Sequence, residues 1–228
     1  WDTKPRCETI RGLALEDEPA RHKLRSELFA QNKFQQKPEP LAPKPYQKPK
    51  RLRIGYFSAD FHNHATMYLM AKVFEAHDPE KFKVYAYSFG EEANDQMRQR
   101  LTRAVDVFDD VKIMKDKEIA LLARQDEIDI AVDLKGFTIN SRTNIFAHRA
   151  APIQISYLGY PGTMGAEFID YIVADKIIIP ERYQHFYSEN IIRLPHSYQV
   201  NDNTREIYDL TVSKLEMGLP EHGFVFCC

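Results

Sequence analysis

Apolar and polar positions in the first half of the chain follow a strand pattern and then a helix pattern. Residues 52–57 form a short β-rich apolar run, and from Met67 onward apolar side chains recur at i, i+3, i+4 and i+7, as on one face of a helix. The segment between them is polar, and its side chains with candidate chemistry are Asp60, His62, Asn63 and His64. The pattern predicts a strand, a loop that carries ionisable groups, and a helix.

The same alternation continues to about residue 174. Apolar runs predict strands over residues 83–89, 107–111, 128–134, 153–158 and 171–174, and helical spacing predicts helices over residues 95–105, 116–125 and 144–148. In the helix over 116–125 we expect Ile119, Leu121 and Leu122 on the buried side. Strands that alternate with helices predict an α/β fold with a Rossmann-like, mostly parallel sheet and helices on both faces.

Residues 1–50 have a different pattern. A helical periodicity covers about residues 1–30, with Asp17 as the predicted N-cap and Pro19 in the first turn. Prolines interspersed with lysines follow in residues 37–50, which is typical of an extended, basic connector. We therefore predict a helical segment and a Pro/Lys-rich linker over residues 1–50, and an α/β domain from residue 51 onward.

Composition and charge narrow the classes of partner. The chain has 228 residues, 43% of them hydrophobic, which is enough for a sizeable core, and a formal net charge of -2. This near-neutral balance gives no electrostatic reason to expect nucleic acid or an anionic membrane as a partner. No apolar run reaches the roughly 18 residues that a membrane span needs, and no signal peptide opens the sequence.

The cysteines and the chain ends add two expectations. The 3 cysteines are Cys7, Cys227 and Cys228, and because the last two are adjacent they are poorly placed for a structural disulfide. A reducing, cytoplasmic location is therefore expected. The chain opens on Trp1 instead of Met and closes on an apolar run over residues 223–228 that is similar to a strand cut short, so we expect a fragment of a longer protein.

Three polar or glycine-rich loops each follow a predicted strand. They cover residues 58–66, residues 133–138 together with Ser141 and Arg142, and residues 158–165. Because the carboxyl ends of parallel strands lie along one edge of a sheet, we expect these loops to line one crevice. A helix begins directly after the first loop, and helix N-termini favour anionic groups. The sequence therefore predicts a site for a phosphate-bearing ligand.

Several individual residues in these loops admit more than one role. Glycines in the third loop, such as Gly159 and Gly162, allow backbone N–H groups to approach a ligand, although residues 160–163 taken alone are typical of a tight turn. Asp133 could be a base, an orienter of Lys135 or a helix cap, and the sequence does not choose among these.

His62 and His64 have the spacing of a metal site, with Asp60 in phase on an extended segment. No fourth ligand follows nearby, so we predict no bound metal. A histidine at the mouth of a crevice can instead act as a general base, or form a hydrogen bond with a sugar hydroxyl or a pyrophosphate. A metal-dependent hydrolase that uses Asp60, His62 and His64 is one alternative hypothesis for the function.

Several blocks resemble the catalytic region of O-linked N-acetylglucosamine transferases, including bacterial homologues and the related SPINDLY fucosyltransferases. They are RIGYFSADF at residues 53–61, NH at 63–64, APIQ at 151–154 and LGYPGT at 158–163. The resemblance implies a GT-B enzyme with two Rossmann-like lobes that follow tetratricopeptide repeats. Residues 51–210 would then be the N-terminal catalytic lobe, and residues 211–228 the truncated start of the C-terminal, nucleotide-binding lobe.

The activity that the resemblance implies is inverting transfer of N-acetylglucosamine from a UDP-sugar to Ser or Thr of proteins. The alternatives are a SPINDLY-like O-fucosyltransferase and a non-catalytic scaffold that has kept the fold. The UDP-sugar would be a substrate, no metal or other cofactor would be needed, and the upstream repeats would recruit the protein acceptors. This chain would supply the acceptor-side lobe and would be inactive alone, because the family's nucleotide-binding Lys lies beyond residue 228.

The resemblance also assigns roles to residues. It places the family's functional histidine on His64. The next residue is Ala65, at the position where animal members commonly have Pro. Animal enzymes use a second His before the strand at Ile128, and residues 123–127 contain none. The donor or acceptor contacts implied by the matching loops are Asn63, Thr66, Lys135, Gly136, Thr138, Leu158, Gly159, Tyr160, Pro161, Gly162 and Thr163.

Overall fold

The computed structural model describes residues 8–34, 49–206 and 212–226. Its centre is a parallel sheet of seven strands in the order β3-β2-β1-β4-β5-β6-β7. The strands are β1 (Leu52–Ser58), β2 (Phe82–Ser88), β3 (Val107–Asp110), β4 (Ile130–Asp133), β5 (Ile153–Ser156), β6 (Tyr171–Ala174) and β7 (Asn190–Arg193). The predicted α/β class and parallel sheet are confirmed.

Six α-helices and one 3-10 helix accompany the sheet in the described residues. They are α1 (Glu8–Leu15), α2 (Pro19–Lys33), α3 (Ala65–Ala76), α4 (Gln96–Ala104), α5 (Asp116–Gln125), α6 (Asn144–Ala147) and the 3-10 helix Glu181–Phe186. None of the helices in this part of the chain is long and apolar enough to cross a membrane.

Helices pack on both faces of the sheet, so each strand buries side chains in two directions. On one face Phe57 stacks on Tyr87 with ring centroids 4.5 Å apart, and α5, α6 and α2 cover them. On the other face Tyr56 packs edge-on against Phe74 of α3, and α4 completes the layer. Burial of such a side chain stabilises the fold by about 1.5–3 kcal/mol, which explains why the β1 sequence is apolar on both faces.

The structure corrects several local expectations. The N-terminal segment forms two helices, and the N-cap of α2 is Glu18 instead of Asp17, because the Glu18 carbonyl accepts the first helical hydrogen bonds from Arg21 and His22. In α5 the side chains turned to the core are Ile119, Ala120 and Ala123, whereas Leu121 is 38% exposed. The prediction of Leu121 on the buried side is therefore wrong.

Strand β7 has no counterpart among the predicted elements. It is four residues long and lies at the edge of the sheet, where its side chains are not fully buried, so its sequence has little apolar pattern.

The C-terminal residues 212–226 contain no strand, and Phe224 is 94% exposed. Residues 227 and 228, most of the predicted Pro/Lys-rich linker, and the predicted lobe boundary at 210/211 lie outside the described residues.

The strand order fixes where a ligand crevice can form. From β1 the chain proceeds through β2 to β3 on one side, and then through β4 to β7 on the other, so the order reverses between β1 and β4. These two strands pair in parallel, with Phe57 opposite Asp133. In open α/β sheets, ligands bind outside the carboxyl ends of the strands at such a reversal. The loops after Ser58 and Asp133 flank this point.

Candidate functional site

A buried ion pair joins the loop after β1 (residues 59–64, the β1 loop) to the loop after β4 (residues 134–138, the β4 loop) across the reversal in strand order. Lys135 Nζ donates to Asp60 Oδ2 over 2.6 Å, and the two side chains are only 7% and 10% exposed. The backbone N–H of Asp60 also donates to Ser58 Oγ, which fixes the turn at the end of β1. Removal of one member of a buried pair typically costs about 3–5 kcal/mol. The pair therefore holds the two loops at a defined separation.

His64 is the N-cap of α3. Its Nδ1 accepts a hydrogen bond of 3.2 Å from the backbone N–H of Thr66, and Thr66 Oγ1 lies 3.2 Å from the same nitrogen. A backbone N–H can only donate, so Nδ1 carries a lone pair and the neutral ring holds its proton on Nε2. Asp60 Oδ2 lies 3.6 Å from Nδ1. The His64 side chain is 42% exposed, and Nε2 has no hydrogen-bond partner in the described part of the chain.

The neighbours of His64 are engaged in structural hydrogen bonds. The Asn63 backbone N–H donates to Asp95 Oδ2, and Asn63 Oδ1 accepts from the Met97 N–H, so Asn63 supports the start of α4. The His62 ring lies 5.6 Å from the His64 ring. Within residues 8–34, 49–206 and 212–226, no group of three or more His, Cys, Asp or Glu side chains is arranged to hold a metal ion.

Asp133 lies fully buried at the end of β4. Its Oδ1 accepts the backbone N–H of Lys135 over 2.8 Å, whereas its Oδ2 has no partner among the described residues. Burial raises the pKa of Asp133 to about 6, against the opposing effect of the Lys135 and Gly136 hydrogen bonds and the Lys135 charge. Of the roles that the sequence left open, this geometry favours an orienter of the Lys135 backbone. Ser156 Oγ, on the residue paired with Asp133 in β5, is likewise buried and has no partner in the described part of the chain.

The β4 loop contacts the loop after β5 (residues 158–165, the β5 loop) at two glycines. Gly136 has φ +55°, and a Cβ there would collide with Tyr160 Cβ. A Cβ at Gly159 would collide with the Leu134 carbonyl oxygen. Thr138 Oγ1 donates to the Lys135 carbonyl and closes the β4 loop. The second and third predicted loops are therefore packed directly against each other.

The β5 loop is held by the buried carboxylate of Glu189, which is not among the predicted site residues. Thr163 Oγ1 donates to Glu189 Oε2 over 2.7 Å, and the Met164 N–H donates to Glu189 Oε1 over 2.6 Å. Burial raises the pKa of Glu189. Glu189 directly precedes β7, which pairs with β6, and it lies 26 residues after Thr163, so no local sequence pattern indicates its role.

The predicted site residues thus divide by exposure. Asn63 and Pro161 are exposed, and His64, Thr138 and Leu158 are partly buried, the last with φ +67°. Gly159 is also partly buried. The remaining predicted contacts are buried, in the first turn of α3 for Thr66 and in the β4 and β5 loops for Lys135, Gly136, Tyr160, Gly162 and Thr163. Arg142 of the second predicted loop is directed away, to Asp116 and the Met114 carbonyl.

Comparisons with known proteins identify proteins that are similar to this chain in sequence. The sequence model of glycosyl transferase family 41 matches residues 28–223. The Arabidopsis thaliana protein named probable UDP-N-acetylglucosamine–peptide N-acetylglucosaminyltransferase SEC is 43% identical over 184 residues, which are 78% of this chain and 19% of that protein. The Caenorhabditis elegans UDP-N-acetylglucosamine–peptide N-acetylglucosaminyltransferase is 36% identical over 166 residues, 72% of this chain and 14% of its own.

A SPINDLY protein and a solved structure are similar over comparable stretches. The Arabidopsis thaliana protein named probable UDP-N-acetylglucosamine–peptide N-acetylglucosaminyltransferase SPINDLY is 34% identical over 150 residues, 64% of this chain and 16% of that protein. A mutant of the Thermobaculum terrenum O-GlcNAc transferase matches with a TM-score of 0.71 and 34% identity, over 82% of this chain and 36% of that chain. The chain therefore spans less than a fifth of the length of these curated relatives.

Proposed function

Because this chain belongs to glycosyl transferase family 41, we propose that it is the N-terminal catalytic lobe of a protein O-glycosyltransferase. The proposed reaction transfers N-acetylglucosamine from UDP-N-acetylglucosamine to Ser or Thr hydroxyls of proteins. The observation that carries the proposal is His64 at the N-terminus of α3, beside the reversal in strand order, within the region that matches the family. The names of the relatives in the comparisons support N-acetylglucosamine as the sugar.

The chemistry requires stabilisation of a leaving diphosphate. In an inverting displacement, the acceptor oxygen forms a bond to the anomeric carbon as the bond from that carbon to the diphosphate oxygen breaks. The electron pair of the broken bond remains on the diphosphate, and the proton of the acceptor hydroxyl passes to a diphosphate oxygen or to water. A helix N-terminus favours such an anion, and α3 begins after the β1 loop, beside the reversal in strand order. A hydrogen-bond donor aimed at developing negative charge contributes roughly 100- to 1000-fold in rate.

The hydrogen bonding of His64 favours one of its two open roles. With Nδ1 engaged by the Thr66 N–H, the neutral ring presents N–H at Nε2, and that group can donate to a diphosphate or sugar oxygen. A general base would need a lone pair at the exposed nitrogen. We therefore assign His64 to donation and not to removal of the acceptor proton.

A transfer assay on the full-length protein tests this function. The protein is incubated with a Ser/Thr-containing acceptor peptide and UDP-N-acetylglucosamine, or with nucleotide-activated fucose, and the product mass identifies the sugar. The proposal expects addition of N-acetylhexosamine and loss of turnover in His64→Ala. Addition of deoxyhexose alone would favour the SPINDLY-like alternative, and a folded protein that transfers neither sugar would favour the scaffold.

A further inference from the structure

Helix α2 packs against the loops of the candidate site, although the sequence placed it in a separate linker region. Its two buried residues, Ser26 and Ala30, face the α/β domain. The backbone of α2 passes so close to the β5 loop that a Cβ at Gly165 would collide with the Glu27 backbone nitrogen. Gly165 has φ +59°, a conformation that glycine adopts without the steric cost borne by other residues.

The aromatic residues of α2 reach the β4 loop. The Phe29 ring packs edge-on against Phe137 with centroids 4.8 Å apart, and Phe34, at the C-cap of α2, stacks over the same ring at 6.4 Å. Phe137 follows Lys135 and Gly136 directly in the chain, and its ring contacts Tyr160 at 5.5 Å. One aromatic cluster, formed by Phe29, Phe34, Phe137 and Tyr160, therefore supports both loops from the side of α2.

Further contacts fix the direction of α2. Lys23 Nζ of α2 donates to the His185 carbonyl over 3.0 Å. The preceding helix α1 adds a contact of its own, since Leu13 would lie 3.1 Å from a Cβ at Gly162. Phe34 packs against Phe168 with ring centroids 5.6 Å apart. Helix α2 thus has contacts with the β4 loop, the β5 loop and the segment that precedes β7. A rigid helix held at these places cannot shift without displacing at least one loop.

We propose that α2 is a positioning element of the catalytic site, in which Phe29 holds the β4 loop through Phe137, and the α2 backbone holds the β5 loop through Gly165. This proposal rests on the proposed glycosyl transfer. It also moves the start of the functional lobe from residue 51 to α1. Because small misplacements in an active site can reduce rates by about 100-fold, loss of either contact lowers kcat by displacing the loops.

The test compares matched variants in the full-length protein. Phe29→Ala removes the aromatic support, and Leu24→Ala is its control, because Leu24 lies on the same helix with 55% of its surface exposed. Gly165→Ala inserts a Cβ between α2 and the β5 loop. Gly218→Ala is its control, because Gly218 has a similar φ of +67° and no atom within 4 Å of the added Cβ. The conservative variant Phe29→Leu restores part of the contact.

Two measurements are made on each variant. Steady-state kinetics should show kcat lowered by roughly 10- to 100-fold in Phe29→Ala and Gly165→Ala, with the controls near wild type and Phe29→Leu between. Hydrogen exchange should show faster exchange in residues 134–138 and 158–165, with unchanged exchange in β1 and β2. A merely structural role would instead lower protection throughout the sheet and leave kcat per folded molecule unchanged.

The two readouts separate failure of this proposal from failure of the proposed function. If wild-type protein transfers sugar and Phe29→Ala and Gly165→Ala keep full kcat, the positioning role is refuted and the function stands. If wild-type protein transfers no sugar, the function fails, and positioning of a catalytic site falls with it. Unchanged exchange in both loops of both variants would refute the role of α2 whatever the kinetics.

Discussion

Asp133→Asn is expected to stabilise the protein at neutral pH and to remove part of its pH dependence. The carboxylate is fully buried, with Oδ2 unpartnered within the described residues. The substitution keeps the shape of the side chain and an oxygen that can accept the Lys135 N–H. It replaces the oxygen that has no partner among the described residues by an amide nitrogen; Ser156 Oγ, on the residue paired with Asp133 in β5, also has no partner in that part of the chain. The buried charge disappears without creating a cavity.

The magnitude follows from the raised pKa of Asp133, which is about 6 in the folded protein against an ordinary value of 3.8. Folding therefore takes up a proton between these values, and the contribution of Asp133 to stability rises as the pH falls from 6 towards 4 and is lost as the pH rises through 6. Linkage gives about 2 kcal/mol of added stability for wild type between pH 8 and pH 4. Asp133→Asn lacks this term.

The assay is urea unfolding of wild type and Asp133→Asn at several pH values between 4 and 8, compared as differences so that other titrating groups cancel. At pH 8 the variant should be more stable by about 1–2 kcal/mol, since removal of the charge is partly offset by weaker acceptance from the Lys135 N–H. The advantage should vanish or reverse near pH 4. Parallel curves for the two proteins would refute the assignment of a raised pKa to this carboxylate.

The remaining predictions concern the site. His64→Ala should lower kcat by about 100- to 1000-fold and stability by about 1 kcal/mol through loss of the N-cap, whereas His64→Asn should keep the cap, so equal unfolding energies for both variants would contradict the capping role. Asp60→Asn should destabilise by about 3–5 kcal/mol because the Lys135 ammonium is left buried, and the added change Lys135→Met should recover much of this loss in urea unfolding; no recovery would argue against coupling of the pair. Chelation with EDTA should leave transfer activity unchanged; activity that is lost with EDTA and restored only by a divalent metal would contradict a metal-free mechanism. Residues 1–228 alone, which keep α1 and α2, should bind UDP-N-acetylglucosamine much more weakly than the full-length protein in calorimetry, since one lobe cannot fix the donor; equal affinity would contradict the division between lobes.

The sequence was sufficient for the order and type of most elements because burial has a local signature. Strand β1 is apolar on both faces, and α3 carries Met67, Met70 and Phe74 at helical spacing, so each could be recognised without knowledge of its neighbours. The blocks around His64 and Tyr160 likewise lie in contiguous sequence. Local patterns failed where burial was partial, as in the edge strand β7, and where two adjacent hydrophobic residues competed for one face, as with Leu121 and Ala120 in α5.

Only the tertiary structure decided how the loops hold one another. Asp60 and Lys135 are 75 residues apart, and Thr163 and Glu189 are 26 apart, so neither pair has a periodic or motif-like signal in the sequence. The position of the proton on the His64 ring depends on the hydrogen bond from the Thr66 N–H to Nδ1. The role of α2 depends on its contact with Gly165, which is far from α2 in the sequence. Sequence periodicity determines which side chains are buried, whereas the contacts of these side chains are determined by the strand order, which brings distant loops to one edge of the sheet.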